Sequence, residues 1–486
     1  MLQKRTLVIL ISAIVLFVLM HIRIFPLDLI GFHVWRQTQT QTVIDNFYEE
    51  DPNILHPRIN ARGDGTGIYR TDFPLMQWII AGVYHITGDS VLVTRIMMCL
   101  FSVLGMLFLY GFLQQRFKSE NTALAAAIMY VFTPMMYYYG MVPLVDVFAL
   151  MLTMAGLWLW YRFYEQQQLA DFIGTVLMFI IAAMIKTPFI LYLAGLGVFV
   201  FFRLYNKTYS LKSTITYCLI AVVISTPGLI WIYTVLRDMS DINNPVVGGV
   251  FSAAALTPGK YLGYLQFYVV SLLPGVLTGY ITFIVFVIGL FFVAKRVRKF
   301  TAFGMSMLIV CALLICYVLY EAPAMHTAHD YYFMPFLPII FLVVAFGAQQ
   351  LVQSHIHYRK HILILIVALS PLIAFTRMDA RWNENKPGFN KDLYVHHEEI
   401  QKYIPGGALV VCGNDESKYI WPYYLEAKGW TFKENKLTDS LLQDYQNRGA
   451  QLLITDMADS SLLHILSPEK LQAAARFGTI KVIDVK

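Results

Sequence analysis

The chain has 486 residues, of which 57% are hydrophobic, 15% aromatic and 14% charged. A soluble domain usually has about 25% charged residues, so this composition excludes an ordinary cytosolic enzyme, a disordered chain and a disulfide scaffold. The apolar residues occur in blocks of about 20, the length that crosses a bilayer core of about 30 Å. The sequence therefore predicts a multi-pass membrane protein.

The net charge of +6 is unevenly distributed. Residues 378–486 hold 13 Lys and Arg and 15 Asp and Glu, whereas residues 1–377 hold 24 and 16. An excess of positive charge in the membrane part sets the orientation of the spans. Membrane lipids are therefore expected partners, and nucleic acid is not.

About eleven apolar segments predict membrane-spanning helices, which makes the expected fold mainly α. The first segment follows Lys4 and Arg5 and has no small-residue cleavage site, so we expect an uncleaved helix and not a signal peptide. The predicted spans lie near 6–28, 90–115, 121–141, 145–161, 170–185, 187–204, 214–236, 266–294, 301–320, 331–352 and 361–376.

Basic residues predict how these spans are oriented. With a cytoplasmic N-terminus, the inner loops collect most of the Lys and Arg, including the cluster at 295–299, as the positive-inside rule requires. An odd number of spans then places the C-terminal tail outside, together with the long segment 29–89.

The segment 29–89 has its own pattern. Residues 34–47 and 73–87 predict two helices at the membrane interface, and Gly63, Gly65 and Gly67 predict a flexible connection between them. We assign the segment to a transmembrane domain over 1–376.

Residues 377–486 predict a separate small extracytoplasmic α/β domain, because strand-like and helix-like stretches alternate along them. The predicted strands are 408–412, 451–455 and 480–485, and the predicted helices are 395–403, 417–428, 438–447 and 468–476.

The first candidate site residues lie in the early polar motif. On a helix, His33, Arg36 and Gln37 share one face. The planar fork of Arg36 suits a phosphate, and His33 can transfer a proton near neutral pH. An amphipathic interfacial helix with a solvated polar face would explain the same pattern, so both interpretations stay open.

Two carboxylates lie at predicted membrane boundaries. Asp146 opens an apolar helix, where a charge is costly unless it is paired or faces water. The alternative is a simple helix cap stabilised by the helix dipole. Asp72, directly before Phe73 and Pro74, has the same two interpretations.

Lys186 and Arg95 are cations on the predicted outer side, against the positive-inside trend. A single such cation could extend its side chain to the interface. Two of them favour an anionic ligand such as a phosphate.

The last outer segment contains histidine, carboxylate and tyrosine side chains: Glu321, His326, His329, Asp330, Tyr331 and Tyr332. Histidine and carboxylate are metal ligands, but their spacing matches none of the usual metal signatures. We therefore expect a loop that binds the acceptor or a phosphate, and no metal site. Tyrosines of the interfacial aromatic belt are the alternative.

Taken in order, these motifs resemble the GT-C superfamily of membrane glycosyltransferases, in the bacterial branch similar to protein O-mannosyltransferases and the lipid A aminoarabinose transferase. The resemblance covers about residues 1–376. Its motifs are His33-Val34-Trp35-Arg36-Gln37, Asp72-Phe73-Pro74-Leu75, Gly88 with Arg95, Pro143-Leu144-Val145-Asp146, Lys186-Thr187-Pro188 and His329-Asp330-Tyr331-Tyr332.

The resemblance implies a transferase that moves a hexosyl or pentosyl group from a polyprenyl-phosphate donor to a hydroxyl of a lipid, glycan or protein acceptor. The reaction would occur at the outer face of a bacterial inner membrane, without a metal, although a divalent cation is left open. Relatives place an acidic base in the first outer motif, where this chain has His33, so Asp146, Asp72 and His33 are all candidate bases. The predicted donor ligands are Arg36, Gln37, Arg95, Lys186, His329, Tyr331 and Tyr332.

Two other functions compete with this one. A transporter or flippase for lipid-linked glycans would have charged residues spread through the bilayer midplane, whereas here they gather at the outer ends of helices. A glycan polymerase or ligase would differ in acceptor chemistry, which the sequence does not show.

Overall fold

The computed structural model describes residues 3–241, 257–296, 300–327, 329–354, 357–433 and 436–486. The chain divides into two compact units. Unit 1 comprises Met1–Phe25, Thr71–Phe73 and Arg95–Ala380, and unit 2 comprises Pro26–Arg70, Pro74–Thr94 and Arg381–Lys486. Most of the segment 29–89 therefore lies in the same unit as the C-terminal tail.

Unit 1 is helical. Its helix α4 begins in unit 2 and continues into unit 1, and three further segments are 3-10 or π-helical: Thr187–Phe189, Tyr268–Leu277 and Asp330–Phe336. The α-helices are α1 (Lys4–Met20), α4 (Val91–Phe117), α5 (Glu120–Val131), α6 (Pro134–Tyr139), α7 (Val145–Gln166), α8 (Leu169–Ile185), α9 (Ile190–Tyr205), α10 (Leu211–Asp241), α11 (Pro258–Phe267), α12 (Tyr280–Arg296), α13 (Ala302–Thr327), α14 (Leu337–Val352) and α15 (His357–Met378).

In the described part of the chain, seven helical segments are long and apolar enough to cross a membrane, or up to eight if one bent pair counts as a single span. Helical structure lies at each of the eleven predicted positions. Large apolar side chains such as Leu219 and Val223 are 60% and 70% exposed on α10, as expected for helices that face lipid. The predicted mainly α, polytopic fold is confirmed. Part of the basic cluster at 295–299 lies outside the described residues.

The predicted continuous span over 266–294 is wrong. Two helical segments, Pro258–Leu277 and Tyr280–Arg296, meet there at an angle of 116°. Pro274 removes a backbone donor inside the π-helical segment, and Gly279 turns the chain with φ +75°, a conformation that favours glycine. The span predicted over 121–141 is also divided, because Pro134 starts a new helix, α6.

Two glycines allow α12 and α14 to approach closely. A Cβ atom at Gly289 would lie 1.9 Å from the carbonyl oxygen of Val343, and one at Gly347 would lie 2.0 Å from that of Val285. Any side chain at either position would therefore force the two backbones apart.

We expect Gly289→Ala to lower the stability of unit 1 by about 1–3 kcal/mol, the usual cost of overpacking. The apparent thermal unfolding midpoint in detergent measures the change. Gly197→Ala on α9 is the matched control, because a Cβ there meets no atom within 4 Å. Equal midpoints for the two variants would contradict the close helix contact.

Unit 2 combines helices with a five-stranded sheet. The helices are α2 (Val34–Glu49), α3 (Leu75–Thr87), α16 (Lys391–Gln401), α17 (Ile420–Tyr424), α18 (Asp439–Asn447), α19 (Asp459–Leu462) and α20 (Pro468–Gln472). The strands are β1 (Leu409–Gly413), β2 (Lys428–Thr431), β3 (Ala450–Thr455), β4 (Ala475–Phe477) and β5 (Ile480–Asp484), in the order β2-β1-β3-β5-β4. Strands β2, β1 and β3 are parallel, and β5 runs antiparallel to β3 and to β4.

The small α/β domain is confirmed as a fold, and its predicted strands correspond to β1, β3 and β5. The short strands β2 and β4, of four and three residues, were not predicted. Lys428 of β2 and Ala475 and Arg476 of β4 lay at the ends of the predicted helices 417–428 and 468–476. In the structure these helices are shorter, Ile420–Tyr424 and Pro468–Gln472, and the sheet pairs Lys428 and Ala475.

The glycines of the segment 29–89 form defined turns instead of a flexible connection. The Gly63 amide donates to the Gly429 carbonyl at 2.7 Å, and the Gly429 amide donates to the Asn60 carbonyl at 3.1 Å. These bonds cover the outer edge of β2, which would otherwise present open backbone groups. Gly63 has φ +58°, and a Cβ there would lie 2.7 Å from the Trp430 ring nitrogen.

Candidate active site and polar cavities

Lys186 occupies a break between two apolar helices. Helix α8 ends at Ile185, Lys186 is extended with φ −147° and ψ 107°, and Pro188 lies in the 3-10 turn that leads into α9. Proline cannot continue the hydrogen-bond ladder of α8, so the backbone turns at this point. The break places the lysine side chain at the ends of two helices, with 11% of it exposed.

Asp146 lies beside this lysine. It is in the first turn of α7, where a negative charge is stabilised by the helix dipole. One of its carboxylate oxygens is 3.7 Å from the Lys186 ammonium nitrogen, and 1% of the side chain is exposed. Lys186 is therefore the partner that the sequence predicts Asp146 to need, and the dipole of α7 stabilises the same carboxylate.

Tyrosine rings complete the group around the lysine, which we call the Lys186 cluster: Asp146, Lys186, Tyr331 and Tyr332. The ammonium lies 4.8 Å from the ring centre of Tyr332 and 5.6 Å from that of Tyr331, distances that allow cation–π attraction. The ring of His329 stacks on Tyr332 at 4.8 Å. The Tyr139 hydroxyl donates to Asp330 and so anchors the segment that carries both tyrosines.

A cavity of about 560 Å³ opens beside the Lys186 cluster within unit 1. Its charged lining residues are Asp72, Lys186 and Glu321. Most of the remaining wall is apolar and comes from α9, α10 and α13, with lining residues that include Leu191, Trp231, Ile232, Val235 and Leu313. The cavity thus has an apolar wall and a small charged region.

Asp72 reaches this cavity through a local backbone contact. The amide of Phe73 donates to the Met184 carbonyl at 3.0 Å, and the Phe73 ring packs edge-on against Trp231 at 5.1 Å. Met184 precedes Lys186 by two residues. The hydrogen bond between Phe73 and Met184 therefore brings Asp72 and Lys186 to the same wall of the cavity. The side chain of Asp72 is partly exposed there.

Arg95 does not line this cavity. Its side chain is fully buried, and its guanidinium donates to the Met141 carbonyl at 2.9 Å. Met141 lies in the turn before α7, so Arg95 supports the segment that leads to Asp146. Its binding to a phosphate stays a prediction.

The early polar motif lies in unit 2. His33 precedes α2 with φ +58° and lines a cavity of that unit. Gln37 is fully buried and donates to the Ile30 and Phe32 carbonyls, both at 3.1 Å. It therefore holds the turn before α2, while Arg36 donates to Gln39. The roles predicted for these residues in donor binding and proton transfer stay predictions.

A second cavity in unit 2, of about 290 Å³, is lined by carboxyl groups that the sequence does not predict to lie together. They are Asp28, Asp45, Glu49, Asp89 and Glu426. The Tyr423 hydroxyl donates to Asp28 at 2.8 Å, although the two residues are 395 positions apart. The position of Asp28 after the first apolar segment was the one available signal, and no sequence pattern pairs it with Tyr423.

The spacing of the histidine and carboxylate side chains predicts no metal site. In the described residues, no group of three or more His, Cys, Asp or Glu side chains could hold a metal ion. The side chain of His326 lies outside that description.

Comparisons with known proteins confirm the resemblance to GT-C glycosyltransferases. The family described as dolichyl-phosphate-mannose-protein mannosyltransferase matches residues 71–231, the part that carries Asp72, Arg95, Asp146 and Lys186. A comparison with curated protein sequences finds no match.

Solved structures share the fold over nearly the whole chain. ArnT from Cupriavidus metallidurans in the apo state has a TM-score of 0.67 at 13% identity and covers 97% of both chains. The same protein bound to undecaprenyl phosphate has a TM-score of 0.67 at 11% identity, covering 100% of this chain and 98% of that one. An oligosaccharyltransferase from Archaeoglobus fulgidus has a TM-score of 0.61 at 12% identity, covering 95% and 70%. The chain therefore shares the fold of these structures, and residues 71–231 match the mannosyltransferase family.

We expect the contact between Asp146 and Lys186 to be energetically coupled. Removing one member of a buried ion pair typically costs about 3–5 kcal/mol, because the other charge is left without its partner. Asp146→Asn and Lys186→Met should each lower the unfolding midpoint, and the double variant should lose less than the sum of the two. Additive losses, within about 0.5 kcal/mol, would contradict direct coupling.

Asp45 gives unit 2 a distinct pH dependence. Burial raises its pKa well above the ordinary value, against one hydrogen bond donated by Gln41 at 2.8 Å. In the unfolded chain the pKa of this carboxyl is about 3.9. The folded state therefore binds the proton more tightly, and Asp45 lowers stability as the pH rises above that value.

We expect Asp45→Asn to stabilise the protein at pH 7, because the amide resembles the protonated acid. The gain should vanish below about pH 4, where both folded and unfolded Asp45 are neutral. Unfolding midpoints measured across this range test the expectation, with the exposed Asp444→Asn as control. A gain that does not depend on pH would contradict it.

Proposed function

We propose that this protein transfers a sugar from a polyprenyl-phosphate donor to an acceptor hydroxyl. The observation that carries the proposal is the position of Lys186 at the charged region of a largely apolar cavity of about 560 Å³. The phosphate would bind the ammonium, and the lipid would follow the apolar wall. Lys186 is the one cationic side chain among the described residues that line this cavity.

The surroundings of Lys186 favour this role. A charged interaction is much stronger in a site shielded from water than at the surface. Asp146 and the rings of Tyr331 and Tyr332 hold the ammonium in place. We therefore propose Asp146 as a residue that positions Lys186.

Asp72 is the carboxylate that we propose as catalytic base. It lines the cavity with its side chain partly exposed, whereas 1% of the Asp146 side chain is exposed. In the transfer, Asp72 takes the proton of the acceptor hydroxyl as the oxygen bonds to the anomeric carbon. The bond from that carbon to the phosphate oxygen breaks, and the lipid phosphate leaves with the electron pair. His33 remains the alternative base.

Relatives support the donor class. The matching family is described by its dolichyl-phosphate-mannose chemistry, and ArnT was solved with undecaprenyl phosphate. We further propose that the chain lies in a bacterial inner membrane with its N-terminus in the cytoplasm and its C-terminal domain outside, as the distribution of Lys and Arg predicts. We expect a lipid, glycan or protein acceptor and transfer that persists in a chelator.

The test is an assay of purified protein with defined polyprenyl-phosphate sugars, in which the release of lipid phosphate and the binding of donor are both measured. Lys186→Ala should weaken donor binding about 10- to 100-fold, because a bond to a charged group contributes about 1.5–3 kcal/mol. Asp72→Asn should keep donor binding but lose at least ~100-fold in turnover.

Lys118→Ala is the matched control, since Lys118 directly follows α4, is not among the residues that line the cavity and has 69% of its side chain exposed. Unchanged donor affinity in Lys186→Ala would overturn the phosphate site. Full activity in Asp72→Asn would show that another residue is the catalytic base. Movement of the donor across proteoliposomes without release of lipid phosphate would favour a transporter.

A further inference from the structure

The cavity that His33 lines, of about 470 Å³, lies at the carboxyl edge of the parallel strands in unit 2. Its lining includes Asn414 and Asp415, which follow β1, and Asp456, which follows β3. From β1 the chain continues to β2 on one side of the sheet, and from β3 it continues to β4 on the other side. Open α/β sheets bind ligands at such a point, where the connections of adjacent parallel strands diverge.

Aromatic and polar side chains line this cavity. Phe32 and the partly buried Trp35 contribute ring surface, and Asp456 contributes a carboxylate. The Asn390 amide donates to one oxygen of Asp456 at 2.7 Å and to the Thr479 hydroxyl at 3.2 Å. The other oxygen of Asp456 is buried and has no hydrogen-bond donor among the described residues, so a ligand hydroxyl could bind there.

The segments that form this cavity are held in place by hydrogen bonds and close backbone contacts within unit 2. The Gly31 amide donates to the Pro387 carbonyl at 2.7 Å. Gly388 has φ +96°, and a Cβ there would lie 2.8 Å from the Gly31 carbonyl oxygen. Asp415 accepts bonds from the backbone amides of Ser417, Ile420 and Trp421. A ligand would therefore bind with little ordering cost.

The charge of the lining disfavours an anionic ligand. The lining includes the carboxylates of Asp415, Glu416 and Asp456, while His33 is the one basic residue among the described lining residues, none of which is Lys or Arg. A phosphate or carboxylate would be repelled by this set. Carboxylate and amide groups instead accept and donate bonds to hydroxyls, and exposed ring faces pack against apolar C–H surface.

We propose that this cavity is a carbohydrate-binding site, which takes a sugar residue that carries no anionic group. The site belongs to unit 2 and is additional to the donor site proposed at Lys186. Its ring surface would contact one face of the sugar, and the Asp456 carboxylate would bind its hydroxyls. The C-terminal domain would thereby hold a glycan chain as well as support the fold.

Isothermal titration calorimetry of the full-length protein in detergent tests this proposal. The probes are dextran, cello- and manno-oligosaccharides, chitosan oligosaccharides, and the neutral sugars carrying a phosphate. At least one uncharged or amino oligosaccharide should bind, and its phosphorylated form should bind at least about tenfold more weakly. Absence of binding across the panel, or equal binding of phosphorylated sugars, overturns the proposal.

Two variants locate the site, and both leave the apolar core in place. Asp456→Asn removes the carboxylate charge, and Phe32→Ala removes a ring that is 42% exposed at the rim. Each should weaken binding at least about tenfold, while Asp444→Asn, on exposed α18, should not. Unchanged affinity in both variants overturns the assignment.

Lys186→Ala keeps the two proposals distinguishable. It should lose donor binding and retain oligosaccharide binding, because the carbohydrate site is formed by unit 2 alone. Loss of oligosaccharide binding in a folded Lys186→Ala protein would show that the glycan binds at the donor site, and would overturn the carbohydrate site in unit 2.

Discussion

The close approach of Lys186 and Asp146 is the constraint on which the candidate site of unit 1 depends. Each charge would be expensive alone among apolar helices, because removing an ion from water costs several kcal/mol. Their 3.7 Å separation and the first turn of α7 offset that cost. Lys186 lies in the break between α8 and α9, where Pro188 in the 3-10 turn cannot continue the helix, and from this break it contacts Asp146. Stability and candidate chemistry therefore depend on the same break in the helix.

In unit 2, ion pairs and backbone hydrogen bonds hold the long polar segment 29–89 in place. Arg62 and Lys428 bind Glu50 from two directions, and the backbone at Gly63 joins the edge of β2. Burial by itself would raise the pKa of Glu50, but these hydrogen bonds and charges lower it to about 2. Burial raises the pKa of Asp45, which accepts one hydrogen bond from Gln41. The pKa values of Asp45 in α2 and of Glu50 directly after it therefore shift in opposite directions, because their partners differ.

Much of the fold could be predicted because apolar length and charge are local properties of the chain. The spans, the helix over Val34–Glu49 and the strands β1, β3 and β5 all follow from such patterns. The errors occurred where the backbone departs from regular structure, at Pro274, Gly279 and the short strands β2 and β4. Short strands are stabilised by pairing with distant residues, and no local pattern reports that pairing.

For the candidate site, the sequence by itself determined which residue types were costly enough to need a partner: Asp146, Lys186 and Asp72. It also determined the order of motifs, and with it the resemblance to GT-C glycosyltransferases. Only the tertiary structure decided that Asp146 lies beside Lys186, that Asp72 shares a cavity with Lys186, and that Arg95 binds the Met141 carbonyl. The physical reason is distance: an unpaired charge is visible at one position of a sequence, but its partner is chosen by packing between helices that are far apart in the chain.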